Sequence, residues 1–137
     1  MPTPVLDTNV VLRHLLQDSQ DLSPRATEFI RRIEEGWQRV RLPSTAIFEA
    51  VFTLQKLYLQ PRRAIMDGLL PIIEIPGVEV GGKPSLRSVF ELYVRFLSLS
   101  FADAYHAQLA LEEGSGQIVS FDRGLSRVPG IKRIEPE

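Results

Sequence analysis

Short apolar runs alternate with longer segments of helical periodicity along this chain, and this alternation constrains the fold more than any other feature. The spacing predicts six helices, of which the second is expected to have Ser23 as its N-cap and the fourth to end at about Leu70. Strands are predicted at residues 4–7, 40–42, 78–80, 117–121 and 131–134. Strands that alternate with helices predict a parallel β-sheet flanked by helices on both faces. The length of 137 residues fits one domain. The predicted fold class is therefore α/β, with a single domain over residues 1–137.

Composition excludes several classes of protein. The chain has no cysteine, which excludes disulfides and thiolate metal sites and favours a reducing compartment. No apolar stretch approaches the roughly 20 residues of a membrane span, and no signal-peptide pattern is found, so we expect a soluble, cytoplasmic protein and no membrane partner. The net charge of −1 does not favour nucleic-acid binding. It does not exclude such binding, because a local cationic cluster can suffice.

Four acidic residues stand alone in apolar surroundings. Asp7, Glu49 and Asp103 are each the only fully charged side chain in a stretch of 12 residues or more, and Asp122 follows the uncharged segment QIVSF. Such surroundings predict that the four carboxylates are largely buried. A buried, ionised carboxylate must pair with a cation, bind a metal ion or take up a proton.

The predicted positions of these acids suggest that they converge. Asp7 and Asp122 lie at the ends of predicted strands, where the carboxyl ends of parallel strands share one edge of a sheet. Glu49 and Asp103 lie in the first turns of predicted helices. If all four reach the same edge, their repulsion requires a divalent cation, and oxygen ligands favour Mg²⁺ or Mn²⁺. These ions commonly serve phosphoryl chemistry.

Each acid also has an ordinary structural explanation. Asp103 stands three residues after Ser100, in the S-x-x-D spacing of a capping box. Asp7 could cap the first helix, Asp122 could belong to a turn or cap a short helical turn, and Glu49 could be an exposed helix residue. The hypothesis of an acidic metal site therefore depends on the four acids together.

Three neighbouring polar residues allow two interpretations each. Asn9 could bind backbone at the start of the helix, or it could orient Asp7. Ser120 has the same two possible roles beside Asp122. Arg123 could contact a phosphate group or form a salt bridge with Asp122.

Four segments resemble, in their order, the motifs of PIN-domain ribonucleases: VLDTNVVL, STAIFEAVFTL, FADAYHAQLAL and IVSFDRGL. The resemblance spans residues 3–134 and is best to the small VapC-like toxins of toxin–antitoxin pairs. It implies a metal site of catalytic acids at Asp7, Glu49, Asp103 and Asp122. It also implies hydrolysis of RNA phosphodiester bonds with Mg²⁺ or Mn²⁺.

The resemblance has further implications for residues and partners. Asn9 matches the polar residue of the first motif, and Ser120 matches a small hydroxyl residue two positions before the last acid. Members of the family often form homodimers, and the toxins are inhibited by an antitoxin peptide that covers the acidic crevice. We therefore expect RNA, an antitoxin and a second copy of the chain as partners.

The third and fourth predicted helices carry more apolar residues than one buried stripe requires. A homodimer or antitoxin interface could use this surplus, and packing in the protein core could use it equally well. The residues in question are Phe48, Phe52, Leu57, Tyr58 and Leu59.

Other functions remain as alternatives. A phosphatase of the haloacid dehalogenase type also begins with an aspartate after its first strand, but it needs a second acid where this chain has Asn9. A PIN nuclease that processes RNA without a toxin role would carry the same acids. A non-catalytic PIN-fold binding module is a further alternative, against which the presence of all four acids argues.

Overall fold

The computed structural model describes residues 2–137, which form two compact units, one ending at Lys83 and the other running from Pro84 to Glu137. Six α-helices and short parallel strands confirm the predicted α/β class. The helices are α1 (Thr8–Leu16), α2 (Leu22–Glu34), α3 (Ser44–Lys56), α4 (Arg62–Ile73), α5 (Lys83–Arg95) and α6 (Phe101–Glu112). The strands are β1 (Val40–Arg41), β2 (Val78–Glu79), β3 (Gln117–Val119) and β4 (Lys132–Ile134). The prediction of one domain over the whole chain stays a prediction.

In the first unit, a parallel arrangement of short segments directs two helices to the same side. β1 pairs in parallel with β2, and Val5 forms a single parallel bridge to Arg41. The strand predicted over residues 4–7 is therefore reduced to one bridge. Because the bridged segments run in the same direction, α1 and α3, which follow them at once, begin at the same edge.

Apolar stripes explain how the helices of the first unit pack. In α3, Ile47, Val51 and Leu54 recur at helical spacing and are almost completely buried. In α4, Ile65 and Leu69 do the same. α1 packs against α2 and α3, and α3 packs against α4.

Two predicted helix boundaries in the first unit are wrong. α2 begins at Leu22 rather than after a Ser23 cap, because the Ser23 hydroxyl instead accepts a hydrogen bond from the backbone of Ser19. α4 continues past its predicted end at residue 70 and through Pro71 to Ile73. Burial of the last residues of α4 stabilises this extension, although a proline inside a helix removes one backbone hydrogen bond.

The second unit packs α6 against a parallel strand pair. β3 and β4 pair in parallel, with Ile118 opposite Arg133 in the register. Both strands were predicted and are shorter than expected. Phe101, at the start of α6, packs its ring 4.8 Å from that of Phe90 and 5.5 Å from that of Tyr93, measured between centroids. These contacts hold the start of α6 in the core of the unit.

Within residues 2–137, none of the helices combines the length and the apolar character that crossing a bilayer demands.

Candidate acidic site

Asp7 is the N-cap residue of α1. Its backbone is extended, with φ −81° and ψ 147°, and its carboxylate oxygen Oδ2 accepts a hydrogen bond from the backbone N–H of Asn9 at 3.3 Å. This satisfies one of the N–H groups that a helix start leaves without a partner. The bond uses the backbone of Asn9, so the capping interpretation of Asp7 is confirmed and the side chain of Asn9 lies exposed beside it.

Glu49 belongs to the same unit as Asp7. It is the sixth residue of α3, so it lies about 9 Å along the helix axis from the N-cap position at Pro43. α1 and α3 begin at the same edge and pack against each other. Two of the four predicted acids therefore follow neighbouring parallel segments of one unit.

A largely apolar cavity of about 480 Å³ lies beside Asp7 and Asn9. Apolar side chains of α1 and α2, including Val10 and Phe29, form much of its wall, and Arg25 lies at its lining as well. The cavity combines a carboxylate, an amide and the two guanidinium groups of Arg13 and Arg25 with an apolar surface. Glu49 lies outside the described lining of this cavity.

Asp103 lies in the first turn of α6, behind an N-cap serine. The hydroxyl of Ser100 accepts a hydrogen bond from the backbone N–H of Asp103 at 3.0 Å, which confirms the predicted cap at this position. Asp103 is half-buried and lines a cavity of about 350 Å³ together with His106, Glu113 and Ser120. The second unit thus brings Asp103 and Ser120 to one cavity.

Ser120 and Asp122 are joined by the turn that follows β3. The hydroxyl of Ser120 accepts a hydrogen bond from the backbone N–H of Asp122 at 3.0 Å. Oδ1 of Asp122 in turn accepts one from the backbone N–H of Gly124 at 2.8 Å and caps a short 3-10 helix, Arg123–Arg127. The predicted turn role of Asp122 is confirmed, and Ser120 supports the backbone of this acid.

Arg133 is a supporting residue that the sequence interpretation missed. Its guanidinium group donates to the backbone oxygen of Ser120 at 2.9 Å and to the hydroxyl of Ser126 at 3.2 Å, and its side chain is only 15% exposed. It therefore ties β4 to both ends of the turn that carries Asp122. The one sequence signal for this role was the position of Arg133 in the middle of a short predicted strand. That position does not tell whether the side chain faces solvent or the protein.

Arg123 is exposed and forms no ion pair with Asp122 within the part of the chain that the structure describes. Of its two predicted roles, the salt bridge with Asp122 is therefore wrong. The carboxylate of Asp122 bonds to the backbone of the next turn instead.

The prediction that the four acids are largely buried is wrong. Asp7, Glu49 and Asp122 are exposed, and Asp103 is half-buried. Three of the acids cap or begin helical segments, where the end of the segment faces solvent while the apolar neighbours turn inward. Burial therefore does not force these carboxylates to find a cation.

The donor atoms nevertheless suit the divalent ion that the resemblance implies. In residues 2–137, Oδ1 of Asp7 and Oδ2 of Asp122 accept no hydrogen bond and keep their lone pairs accessible. Oxygen donors on accessible carboxylates are the ligands that Mg²⁺ and Mn²⁺ prefer. Within neither unit do the described residues group three or more histidine or acidic side chains that could hold a metal ion.

Comparison with known proteins identifies the family. The model of the PIN domain matches residues 5–131, which is most of the chain and includes all four acids. No curated protein matches the chain. The order of the motifs and the α/β architecture agree with this match, and the chain therefore belongs to the PIN domain family.

Proposed function

We propose that this chain is a metal-dependent endoribonuclease that hydrolyses RNA phosphodiester bonds. PIN domains are generally nucleases and commonly depend on divalent metal ions. The observation that carries the proposal is that the matched region contains four isolated acids in motif order, each with a solvent-accessible or half-accessible side chain. An accessible carboxylate can meet a metal ion and a polyanionic substrate without any rearrangement of the core.

In this proposal, Asp7, Asp103 and Asp122 are the residues that would hold one or two divalent ions, and Glu49 would complete the site or position the attacking water. When bound, Mg²⁺ or Mn²⁺ would lower the pKa of a water molecule and stabilise the negative charge on the phosphate oxygens. The water oxygen forms a bond to phosphorus, the bond from phosphorus to the 3′ oxygen breaks, and the proton of the water passes to solvent or to the leaving oxygen. The products are a 5′ phosphate and a 3′ hydroxyl group.

Neighbouring residues have supporting parts in the proposed reaction. Ser120 holds the backbone of Asp122 through its hydroxyl group, and the exposed guanidinium group of Arg123 contacts a phosphate of the RNA. Asn9 acts at the start of α1, where its backbone already bonds to Asp7. None of these roles requires a covalent intermediate with the protein.

We assign the enzyme to the cytoplasm as the toxin of a toxin–antitoxin pair that acts as a homodimer. The support for this is the resemblance of all four motifs to the small VapC-like toxins. An antitoxin would cover the exposed carboxylates and keep RNA away from them. A small open reading frame that overlaps the gene, and growth arrest on expression that its product reverses, would separate this role from RNA processing.

The test is cleavage of a mixed RNA substrate by the purified protein with Mn²⁺, with and without EDTA. We expect cleavage that EDTA abolishes and that the Asp7→Asn variant lacks. Asp67→Asn is the matched control, because Asp67 is an exposed acid outside the motifs that pairs with Arg63 one helical turn away. Equal cleavage by wild type and Asp7→Asn would contradict the assignment of Asp7, and a phospho-aspartate trapped on Asp7 would indicate a phosphatase.

A further inference from the structure

The cavity beside Asp7 is larger and more apolar than a metal site requires. Its volume of about 480 Å³ lies within the range of roughly 300–1,000 Å³ that is typical of sites for small organic ligands. A hydrated divalent ion, with about six water molecules of roughly 30 Å³ each, would fill less than half of this volume. An apolar wall offers such an ion no ligand atoms. The cavity therefore has room for an organic group next to Asp7.

The apolar wall of this cavity is a stripe of α2 that is open to solvent. Leu22, Ala26 and Phe29 follow one another at intervals of four and three residues, which places them on one face of the helix, and they line the cavity. Leu22 is 46% exposed, and Phe29 is half-buried. Val5, which also lines the cavity, is 65% exposed. Covering such a surface with the flat face of a nucleobase would remove apolar area from water.

Arg13 places a fixed pair of hydrogen-bond donors at the same cavity. Its Nη1 atom donates to the carboxylate of Asp18 at 2.9 Å, and the side chain is only 26% exposed. Within residues 2–137, its Nε and Nη2 atoms donate to no acceptor. Both are open to solvent, because no buried side-chain nitrogen in that part of the chain lacks a hydrogen-bond partner. The N–H bonds of Nε and Nη2 are parallel, and so they form a two-donor fork that Asp18 holds in place.

We propose that this cavity binds a guanine base of the RNA, next to the bond that is cleaved. The apolar wall favours a purine, because a purine has a larger face than a pyrimidine. The fork of Arg13 selects guanine, whose neighbouring acceptors O6 and N7 can take both donors. Adenine has an amino group in place of O6 and would oppose one donor with another. This inference deepens the proposed function, on which it rests, by assigning the base that the nuclease prefers.

Arg25 supplies a positive charge for a phosphate group of the bound nucleotide. It lines the cavity, and its Nη1 atom lies 3.5 Å from the carboxylate of Asp21, with side chains that are 72% and 78% exposed. Such an exposed ion pair contributes little stability, and so a phosphate can replace Asp21 as the partner. The two arginines thus have different roles. The fixed guanidinium group of Arg13 selects the base, and the exposed one of Arg25 binds the RNA backbone.

The polar groups of the cavity favour a nucleotide over an apolar protein segment. An apolar segment that covered the wall would also bury the free N–H groups of Arg13 without acceptors, which is energetically costly. A nucleotide covers the wall with its base and offers acceptors to both arginines. The combination of apolar and cationic groups is therefore complementary to a base with its phosphate.

The test measures binding of single nucleotides to the full chain in EDTA by NMR titration. The probes are the 5′-monophosphates of guanosine (GMP), adenosine (AMP), cytidine and uridine. We expect wild type to bind GMP about tenfold or more tightly than AMP, because one bidentate arginine contact discriminates between bases by about that factor. Equal affinity for GMP and AMP, or tighter binding of a pyrimidine nucleotide, would overturn the proposal. Binding of none of the four would also overturn it and would leave the apolar wall to a protein partner.

A substitution that keeps the charge of Arg13 tests the fork itself. Arg13→Lys should reduce the preference for GMP over AMP to about twofold or less, because an ammonium group has no planar pair of donors. The matched control is Arg63→Lys, since Arg63 is an exposed arginine of α4 that pairs with Asp67 and lies outside the lining of the cavity. Urea unfolding verifies that both variants fold. A preference retained in Arg13→Lys, or lost in Arg63→Lys, would contradict the role of the fork.

Two further variants separate the wall and the phosphate contact from the choice of base. Leu22→Ser removes part of the wall and should weaken GMP and AMP by similar factors. Arg25→Gln should weaken GMP several-fold and leave the binding of guanosine, which has no phosphate, unchanged. Unchanged GMP binding in Leu22→Ser would show that the base binds elsewhere, and weakened guanosine binding in Arg25→Gln would overturn the assignment of Arg25 to the phosphate.

The binding assay separates failure of this site from failure of the nuclease, because it requires neither a metal ion nor cleavage. A preference for GMP without RNA cleavage in Mn²⁺ would contradict the nuclease and leave the guanine site valid. Cleavage of RNA by a wild type that binds GMP and AMP equally would overturn the guanine site and support the nuclease.

Discussion

The hydroxyl oxygen of Ser120 lies 3.0 Å from the backbone nitrogen of Asp122 and accepts its hydrogen bond. Through Gly124, whose N–H binds Oδ1 of Asp122, the same turn also orients the carboxylate. A small hydroxyl two positions before the last acid therefore acts on the backbone of that acid.

This contact predicts different outcomes for two substitutions of Ser120. Ser120→Ala removes the acceptor and should lower RNA cleavage about 10-fold or more, because loss of residues that orient a metal ligand has effects of that size. Ser120→Thr keeps the hydroxyl and should retain cleavage within about twofold. Initial rates at saturating Mn²⁺ measure both effects, and equal rates for Ser120→Ala and wild type would contradict the supporting role.

Asp7 is predicted to have separable structural and catalytic roles. Asn is as good an N-cap residue as Asp, so Asp7→Asn should lose cleavage while keeping the free energy of unfolding within about 0.5 kcal/mol. Asp7→Ala should lose cleavage and also about 1 kcal/mol of stability, because α1 loses its cap. Urea unfolding of both variants measures the difference. Equal stability of the two would show that the cap contributes nothing.

We expect that replacing Gly116, which immediately precedes β3, would destabilise the fold. Its φ is +66°, and a Cβ atom there would overlap the carbonyl oxygen of Gly130. The carbonyl of Gly116 also accepts the N–H of Lys132 at 2.7 Å, so a shift would break the pairing of β3 with β4. Gly116→Ala should cost about 3 kcal/mol or more of stability.

The matched control for Gly116 is Gly36→Ala. Gly36 has a similar left-handed φ but open space around it, so alanine there should cost only the backbone strain of about 1–2 kcal/mol. Equal losses for the two variants, measured by urea unfolding, would show that the contact with Gly130 does not decide the cost.

We expect the free energy of unfolding to depend on pH because His14 is partly buried. Burial between α1 and α2 lowers the pKa of His14 below its ordinary value of 6.5, and the negative charge of Glu34 opposes this shift only in part. Below pH 6.5 the unfolded chain therefore binds a proton at this residue before the folded chain does. The free energy of unfolding should decrease as the pH falls below 6.5.

The variant His14→Gln tests this dependence. Glutamine does not titrate and can still hydrogen-bond to Thr27, whose hydroxyl lies 2.9 Å from Nδ1 of His14. Urea unfolding at several pH values should show a smaller loss of stability for His14→Gln than for wild type below pH 6.5. His106→Gln removes the other histidine and should keep the loss. An unchanged loss in His14→Gln would assign it to other groups.

Much of the secondary structure could be predicted because its signals are local. The stripe of Ile47, Val51 and Leu54 indicates α3 from spacing alone, and the S-x-x-D spacing of Ser100 and Asp103 indicates the start of α6. Boundaries that depend on distant contacts were predicted less well. The strand over residues 4–7 is only a bridge at Val5, because strand length depends on pairing rather than on composition.

The features of the candidate site also fall into two groups, those that local sequence determines and those that distant contacts determine. The sequence by itself determined the family, the order of the four acids and the capping of α6, since each of these is written in residue types at fixed spacing. Only the tertiary structure decided that Asp7, Glu49 and Asp122 face solvent, that Arg133 supports Ser120, and that Leu59 is strained and exposed. Which way a side chain faces depends on how its helix end packs, and residues far apart in the chain determine that packing.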